Sequence, residues 1–209
     1  MNLILLGKPG AGKGTQAKKL SVKYKIPHIS TGDMFRSAYS EKTEIGILAH
    51  DKYWGKGNLV PDDITVKLVE ERLKKDDCKK GFILDGFPRT LNQAKALENI
   101  VLIDYVLYLD TPDNLCVKRI AGRRNCPTCM KDYNVYFNPP KKDDLCDKCN
   151  IGLAQRKDDT EKIVKERLIV YEKETAPLIK YYDKQLVVIM DNGKKSIDEL
   201  FAEATKKLK

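Results

Sequence analysis

Residues 2–16 read NLILLGKPGAGKGTQ, an apolar run that leads directly into a glycine-rich segment. The run predicts a short buried strand over residues 2–6, and the residues after the glycines predict a helix over about 14–24. A strand, a glycine-rich loop and a helix, in this order, are the context in which the pattern G-x-x-x-x-G-K binds phosphate. Small residues let successive backbone N–H groups point at phosphate oxygens, and the helix N-terminus adds partial positive charge. We therefore expect a phosphate-binding loop in which Lys13 reaches the outer phosphates.

The loop departs from the common pattern at one position. A Ser or Thr usually follows the lysine directly, where its hydroxyl binds Mg²⁺. Here Gly14 follows Lys13, and Thr15 comes one residue later. We expect a metal ion at this site to be held mainly through water and phosphate oxygens, and the variant favours a transferase over a hydrolase.

The rest of the chain alternates between apolar runs and helical stretches. The further strands are predicted at 26–30, 81–85, 104–110 and 186–190. Helices are predicted after Ser30 or Thr31 as N-cap, from Pro61 or Asp62 to about Lys75, from about Leu91, from Asp113 to about Arg123, from Asp158 to Tyr182, and after Ser196. Residues 126–155 lack helical periodicity. The sequence therefore predicts an α/β fold, with a parallel sheet covered by helices on both faces and one module inserted near 123–158.

Composition limits the class of protein. A chain of 209 residues, 42% hydrophobic and 33% charged, can bury one sizeable core. No apolar stretch approaches the roughly 20 residues of a membrane-spanning helix, and the N-terminus lacks the basic region of a signal peptide. We therefore expect a cytoplasmic protein. The net charge of +9 favours anionic partners, but the lysines are scattered, so the charge does not specify nucleic acid.

Four of the six cysteines form two C-x2-C pairs separated by sixteen residues, Cys126/Cys129 and Cys146/Cys149. This spacing is typical of a structural zinc site, in which four thiolates close a tetrahedron and leave no open position for chemistry. Iron can occupy the same tetrahedral sulfur geometry. Cys78 and Cys116 are interpreted as ordinary helix or core residues.

Five motifs together resemble the adenylate kinase family: GKPGAGKGTQ at 7–16, ISTGDMFR at 29–36, GFILDGFPRTLNQA at 81–94, GRR at 122–124 and QRKDDTEKIVKERL at 155–168. The resemblance implies the P-loop nucleoside monophosphate kinase fold, a five-stranded parallel sheet flanked by helices with inserted AMP-binding and lid domains. It implies a core domain of residues 1–29, 61–122 and 160–209, an AMP-binding domain of 30–60 and a zinc-binding lid of 123–159. The implied reaction is ATP + AMP ⇌ 2 ADP with Mg²⁺, catalysed by a monomer that needs neither nucleic acid nor a membrane.

The resemblance also implies roles for individual residues. ATP would be bound by Gly10, Ala11, Gly12, Lys13, Gly14, Thr15, Arg119, Arg123, Asp132, Tyr133 and Lys195. AMP would be bound by Thr31, Arg36, Asn58, Leu59, Val60, Gly86, Phe87, Pro88, Arg89, Gln93, Arg156 and Arg167. Catalysis would depend on Lys13, Arg36, Arg89, Arg123, Arg156, Arg167 and Asp85. The structural Zn²⁺ would be bound by Cys126, Cys129, Cys146 and Cys149.

The arginines suit phosphoryl transfer, which needs positioning and charge neutralisation more than acid–base chemistry. Their planar guanidinium groups bind phosphate oxygens in pairs. We expect Arg119 and Arg123, four residues apart, to share a helix face, and we interpret Arg124 as structural or solvated. His28 and His50 are interpreted as structural or exposed.

Two further expectations concern the segment at 81–94. Asp85 ends a strand, a usual position for ligands in open α/β sheets. It could orient Mg²⁺ through water or, alternatively, cap a helix or loop. The Phe87–Pro88 bond is a candidate for the cis form that would aim Arg89.

Two other functions remain open at this point. A kinase for UMP or CMP would share the mechanism, but such relatives tend to have a short lid, so the long cysteine-bearing insert favours AMP. Base choice would rest on a few contacts, Thr31 and Gln93 among them. A nucleic-acid-binding ATPase could combine a phosphate loop, a zinc ribbon and positive charge. Its ribbon should be basic, whereas this one carries Asp132, Asp143, Asp144 and Asp147.

Overall fold

The computed structural model describes residues 1–191 and 193–208. Its main sheet has five parallel strands in the order β2-β3-β1-β4-β7. They are β1 (Asn2–Gly7), β2 (His28–Ser30), β3 (Phe82–Asp85), β4 (Tyr105–Asp110) and β7 (Leu186–Met190). The central strand β1 is almost entirely buried, as expected for a strand covered on both faces. The predicted α/β class and parallel sheet are confirmed.

Helices follow the strands and supply the layers on either side of the sheet. They are α1 (Lys13–Tyr24), α2 (Thr31–Ser40), α3 (Glu44–Lys52), α4 (Asp62–Leu73), α5 (Leu91–Glu98), α6 (Asp113–Ala121), α7 (Glu161–Val170), α8 (Pro177–Tyr181) and α9 (Ile197–Lys207), with a π-helical turn (Tyr171–Thr175) between α7 and α8. Short 3₁₀ turns lie at Trp54–Lys56 and Asp76–Cys78. Ser30 caps α2 by accepting a hydrogen bond from the Asp33 N–H, and Ser196 forms a capping box with Glu199.

Two helix boundaries differ from the sequence prediction. Helix α6 ends at Ala121, and Arg123 lies on the short strand β5 (Arg123–Asn125). The prediction that Arg119 and Arg123 share one helix face is therefore wrong. Helix α7 begins at Glu161 after its cap Thr160, three residues later than predicted, and leaves Asp158 outside the helix as a buried partner for an arginine.

Two large apolar clusters cover the faces of the main sheet, and the inserted segments have smaller cores of their own. One small cluster joins Phe35, Ala49 and Val60 with Tyr53 and Trp54. The other surrounds the cysteines beside an antiparallel pair, β5 and β6 (Asp132–Asn134). The domain limits 30–60 and 123–159 stay predictions; the 160–209 part of the core domain includes Asn192 and Lys209, which lie outside the described residues. None of the described helices is long and apolar enough to cross a membrane.

Candidate active site

The glycine loop between β1 and α1 packs its backbone directly on α6. Gly10 has a φ of +86°, and a Cβ there would lie 2.4 Å from the carbonyl oxygen of Cys116. Both the left-handed backbone and the lack of space require glycine at this position. Gly12, with a φ of +93°, is the N-cap of α1. The loop therefore has the backbone conformation that its sequence predicts.

Lys13 folds back across this loop. Its Nζ donates to the carbonyl oxygens of Gly7 at 2.6 Å and Lys8 at 2.9 Å. Burial lowers the pKa of Lys13 to about 8, although the nearby Asp85 carboxylate acts in the opposite direction. Burial disfavours the charged form of Lys13. An anion that approaches the loop would favour that charged form.

Asp85 lies at the carboxyl end of β3, beside the loop. A Cβ on Gly14 would lie 3.4 Å from Asp85 Oδ2, an ordinary contact distance, so the carboxylate lies close to the backbone that follows Lys13. Burial alone would raise the pKa of Asp85, but the hydrogen bond with His28 Nε2 at 3.2 Å and the charge of Lys13 hold it below its usual value. Asp85 therefore remains ionised, and its described partner is His28 rather than a helix or loop N–H group. His28 is half-buried in this pair, and its structural role stays a prediction.

A cavity opens in front of this loop and collects residues from distant parts of the chain. Of the residues predicted to bind ATP or AMP, the following line it: Lys13, Thr31, Arg36, Asn58, Leu59, Val60, Gly86, Pro88, Arg89, Gln93 and Arg167. The side chain of Phe87 does not; it is buried in the core. The Phe87–Pro88 peptide bond is cis. The sequence motifs at 29–36 and 81–94 are thus brought together with the glycine loop.

The arginines around the cavity are paired with acidic residues that sequence reasoning did not single out. Arg36 donates to Asp33 at 2.5 Å. Arg123 makes a bidentate pair with Asp159, whose side chain is fully buried. These carboxylates hold the guanidinium groups in place. The Arg123–Asp159 pair depends on tertiary structure, and the Arg36–Asp33 pair has an ordinary surface spacing. No local pattern therefore identifies these carboxylates as part of the site.

Arg89 and Arg167 line the cavity, whereas the predicted Arg156 lies outside its lining. Burial and the nearby guanidinium groups lower the pKa of Arg156 and Arg167. Arg89 donates from Nε to the carbonyl oxygen of Gly86 at 2.7 Å, and Arg167 pairs with Asp158 at 3.1 Å. Gathering like charges is unfavourable unless an anion joins them, so the arrangement is suited to phosphate groups.

The other residues predicted to bind ATP lie outside the cavity lining. Arg119 donates to the buried Asp191 at 2.7 Å, and Lys195 pairs with Glu203 at 2.6 Å. Asp132 pairs with Lys18, which connects β6 to helix α1. Tyr133 is only 3% exposed, and its side chain packs in the cysteine cluster. Phe137, which sequence reasoning missed, stacks under Arg119 at 5.8 Å.

The four predicted cysteines come together in the inserted module, and their sulfur atoms all lie within 4.8 Å of one another. Cys129 Sγ and Cys146 Sγ are 3.6 Å apart, close to the edge of about 3.8 Å of a tetrahedron with metal–sulfur distances near 2.3 Å. The Tyr133 hydroxyl donates to Cys146 Sγ and lowers the pKa of that thiol to about 6, whereas the hydrogen bond with Cys129 raises the pKa of Cys149 to about 12. A stabilised thiolate is the form that binds metal. The donor set therefore fits a closed four-sulfur metal site.

Comparison with known proteins agrees with this geometry. The family model described as adenylate kinase matches residues 5–187. The chain is 54% identical to an adenylate kinase of Clostridium kluyveri over 98% of its own length and 96% of that protein. It is 52% identical to one from Clostridium novyi, over 96% and 95% of the two chains, and 50% identical to one from a Geobacillus species, over 97% and 96%. With a glycine loop, a convergent set of arginines and relatives of this similarity across nearly its whole length, the chain belongs to the adenylate kinase family.

Proposed function

We infer that the protein catalyses reversible transfer of a phosphoryl group from MgATP to AMP, which gives two molecules of ADP. Family membership supports the reaction. The structural observation that supports it is the cavity, which Gly7, Pro9 and Lys13 of the glycine loop line together with Arg36, Arg89 and the 58–60 segment. Phosphate-binding groups from separate segments would thus hold a donor nucleotide and a second phosphate-bearing molecule in the same cavity.

The residues of the site would act through position and charge. Lys13, Arg89 and Arg167 line the same cavity, and their charges would neutralise the negative charge that spreads over the transferring phosphoryl group. Mg²⁺ bound with ATP would neutralise part of that charge, and the ionised Asp85 beside Gly14 offers the oxygen ligand that orients the water around such an ion. The other predicted nucleotide contacts remain part of this proposal.

The four-cysteine cluster would hold Zn²⁺ in a structural role. Four thiolates fill every position of a tetrahedral ion, so the metal would have none left for substrate. Iron is the alternative occupant. We propose that residues 123–159 close over the nucleotide as a lid, which would exclude water and favour transfer over hydrolysis. We also propose that the protein is a cytoplasmic monomer, with residues 30–60 as its AMP-binding domain and no nucleic-acid partner.

Product analysis tests the reaction and the acceptor together. MgATP would be incubated with AMP, GMP, CMP or UMP, and the nucleotides and free phosphate would be separated by chromatography. We expect ADP to form from ATP and AMP without release of free phosphate. Preference for UMP or CMP would keep the mechanism but change the acceptor. Phosphate release that does not depend on an acceptor would instead show a hydrolase.

A further inference from the structure

The side-chain amide of Gln93 is held between two partners of opposite hydrogen-bonding character. The backbone N–H of Arg89 donates to Gln93 Oε1 at 2.7 Å. On the other side, Gln93 Nε2 donates to Asp62 Oδ1 at 2.7 Å. A backbone N–H can only donate and an ionised carboxylate can only accept. These two partners therefore assign the oxygen and the nitrogen of the amide without ambiguity.

Asp62 is itself fixed in place. It lies in the first turn of α4, and its second oxygen, Oδ2, accepts a hydrogen bond from Thr90 Oγ1 at 2.9 Å. Thr90 is the N-cap of α5 and accepts a hydrogen bond from the Gln93 N–H at 3.1 Å. The carboxylate thus joins the beginnings of two helices. If the Gln93 amide rotated by half a turn, Oε1 would face a carboxylate and Nε2 would face an N–H group, and both contacts would become repulsive.

The fixed amide contributes to the cavity wall. Gln93 is 2% exposed and lines the cavity with Leu59 and Val60. Charged groups such as Arg36 and Arg89 suit the phosphate of a nucleotide, whereas a neutral amide beside apolar side chains suits its base. After its two described bonds, the amide retains one N–H and one oxygen lone pair. These remaining groups can distinguish bases by the order of their donors and acceptors.

The two purine types present opposite patterns at the same edge. A 6-amino purine has a donor at the 6-amino group and an acceptor at N1, whereas a 6-oxo purine has an acceptor at O6 and a donor at N1–H. An amide that could rotate freely would adapt to either pattern. On the basis of the proposed function, we propose that Asp62 is a specificity-determining residue. By preventing rotation of the Gln93 amide, it makes the acceptor site select a 6-amino over a 6-oxo purine monophosphate.

The variant Asp62→Asn tests the role of the carboxylate, because an asparagine can donate as well as accept. Values of kcat/KM would be measured for AMP and for IMP at saturating MgATP. We expect the ratio of the AMP value to the IMP value to fall at least about tenfold, since a group left unpaired in a buried site is what rejects the wrong substrate. Asp63→Asn is the matched control: Asp63 lies in the same first turn but is exposed, and its loss should leave the ratio unchanged.

Several outcomes would overturn the proposal. If Asp62→Asn lowered the values for AMP and IMP by the same factor, Asp62 would serve only to hold the two helices together. Wild-type enzyme that used IMP as well as AMP would show that the amide does not select the base. Asp62→Ser, which also removes the charge, provides the same comparison if the asparagine variant does not fold. Failure of the proposed function is distinct, because wild-type enzyme would then form no ADP from ATP and AMP.

Discussion

At the scale of single residues, Lys13 shows how the fold prepares a cation for an anion. Its described hydrogen bonds go to two backbone carbonyl groups, and burial reduces its pKa to about 8. Because this value lies below the unfolded value of about 10.5, the unfolded chain binds more protons between the two. The contribution of Lys13 to the stability of the nucleotide-free protein therefore becomes more favourable as the pH rises through that window.

Binding of MgATP should reverse this effect. Phosphate oxygens favour the charged ammonium group of Lys13. We therefore expect wild-type protein to take up protons from the solvent when it binds MgATP. The measurement would be made about one-half pH unit above the pKa of about 8, where part of Lys13 is uncharged. Affinity should fall as the pH rises further. Isothermal titration calorimetry in buffers of different ionisation enthalpy measures the uptake. Lys13→Arg should show less uptake, because a guanidinium group remains charged. Equal heats in all buffers for the wild type would contradict the prediction.

Arg89 tests whether charge alone is enough in the site. Its Nε is occupied by the Gly86 carbonyl group, which leaves the other guanidinium nitrogens toward the cavity that it lines. We expect Arg89→Ala to lower kcat/KM by about 100-fold or more. Arg89→Lys should recover little, since an ammonium group cannot make the paired contacts. Steady-state kinetics would be measured beside thermal unfolding curves. Unchanged activity in Arg89→Ala would remove Arg89 from the mechanism, and unchanged activity in Arg89→Lys would show that charge alone is enough.

At the scale of helices and strands, the strands could be predicted because each is a short apolar run between turn residues. The end of α6 lies at Ala121, with Gly122 as a local stop signal, but the pairing of Arg123 with Asp159, 36 residues later, could not be predicted. The burial of Asp158 and Asp159 could not be predicted either, because an acidic pair before a helix resembles an ordinary exposed first turn. Of the arginines that the motifs predicted, Arg36, Arg89 and Arg167 line the cavity.

For the cysteine module, the structure directly predicts the effect of losing one metal ligand. Cys146 accepts hydrogen bonds from Tyr133 and from the Cys149 N–H, and its Sγ lies 3.6 Å from Cys129 Sγ, so its loss disturbs both cysteine pairs. We expect Cys146→Ser to weaken metal binding about 10-fold or more and to lower the midpoint of thermal unfolding by several degrees. Activity at moderate temperature should be affected less.

Metal analysis, calorimetry and kinetics on the same samples check this. Cys78→Ser is the control, because Cys78 is buried beside Arg72 outside the cluster and should leave the metal content unchanged. Loss of all turnover in a folded Cys146→Ser protein would show that the metal does more than support the module.

At the scale of the whole molecule, an exposed ion pair connects the proposed lid to helix α1 of the core. Lys18 on α1 contacts Asp132 on β6, and both side chains are about half exposed. The neighbouring Lys19 pairs with Asp198 at 2.6 Å, within the core. Exposed pairs of this kind contribute about 1 kcal/mol or less. The first pair can therefore bias the lid toward the core without fixing it there, which suits a cover that must open to release product.

The adjacent lysines allow this bias to be measured. We expect Lys18→Gln to raise the KM for ATP by up to about fivefold, the factor that corresponds to a pair of this strength. The difference from wild type should disappear as KCl is raised, because salt screens exposed charges. Lys19→Gln removes the same charge one residue away and should leave the KM for ATP unchanged. A difference that persisted at high salt, or that appeared equally in Lys19→Gln, would mean that the Lys18–Asp132 pair does not hold the lid against the core.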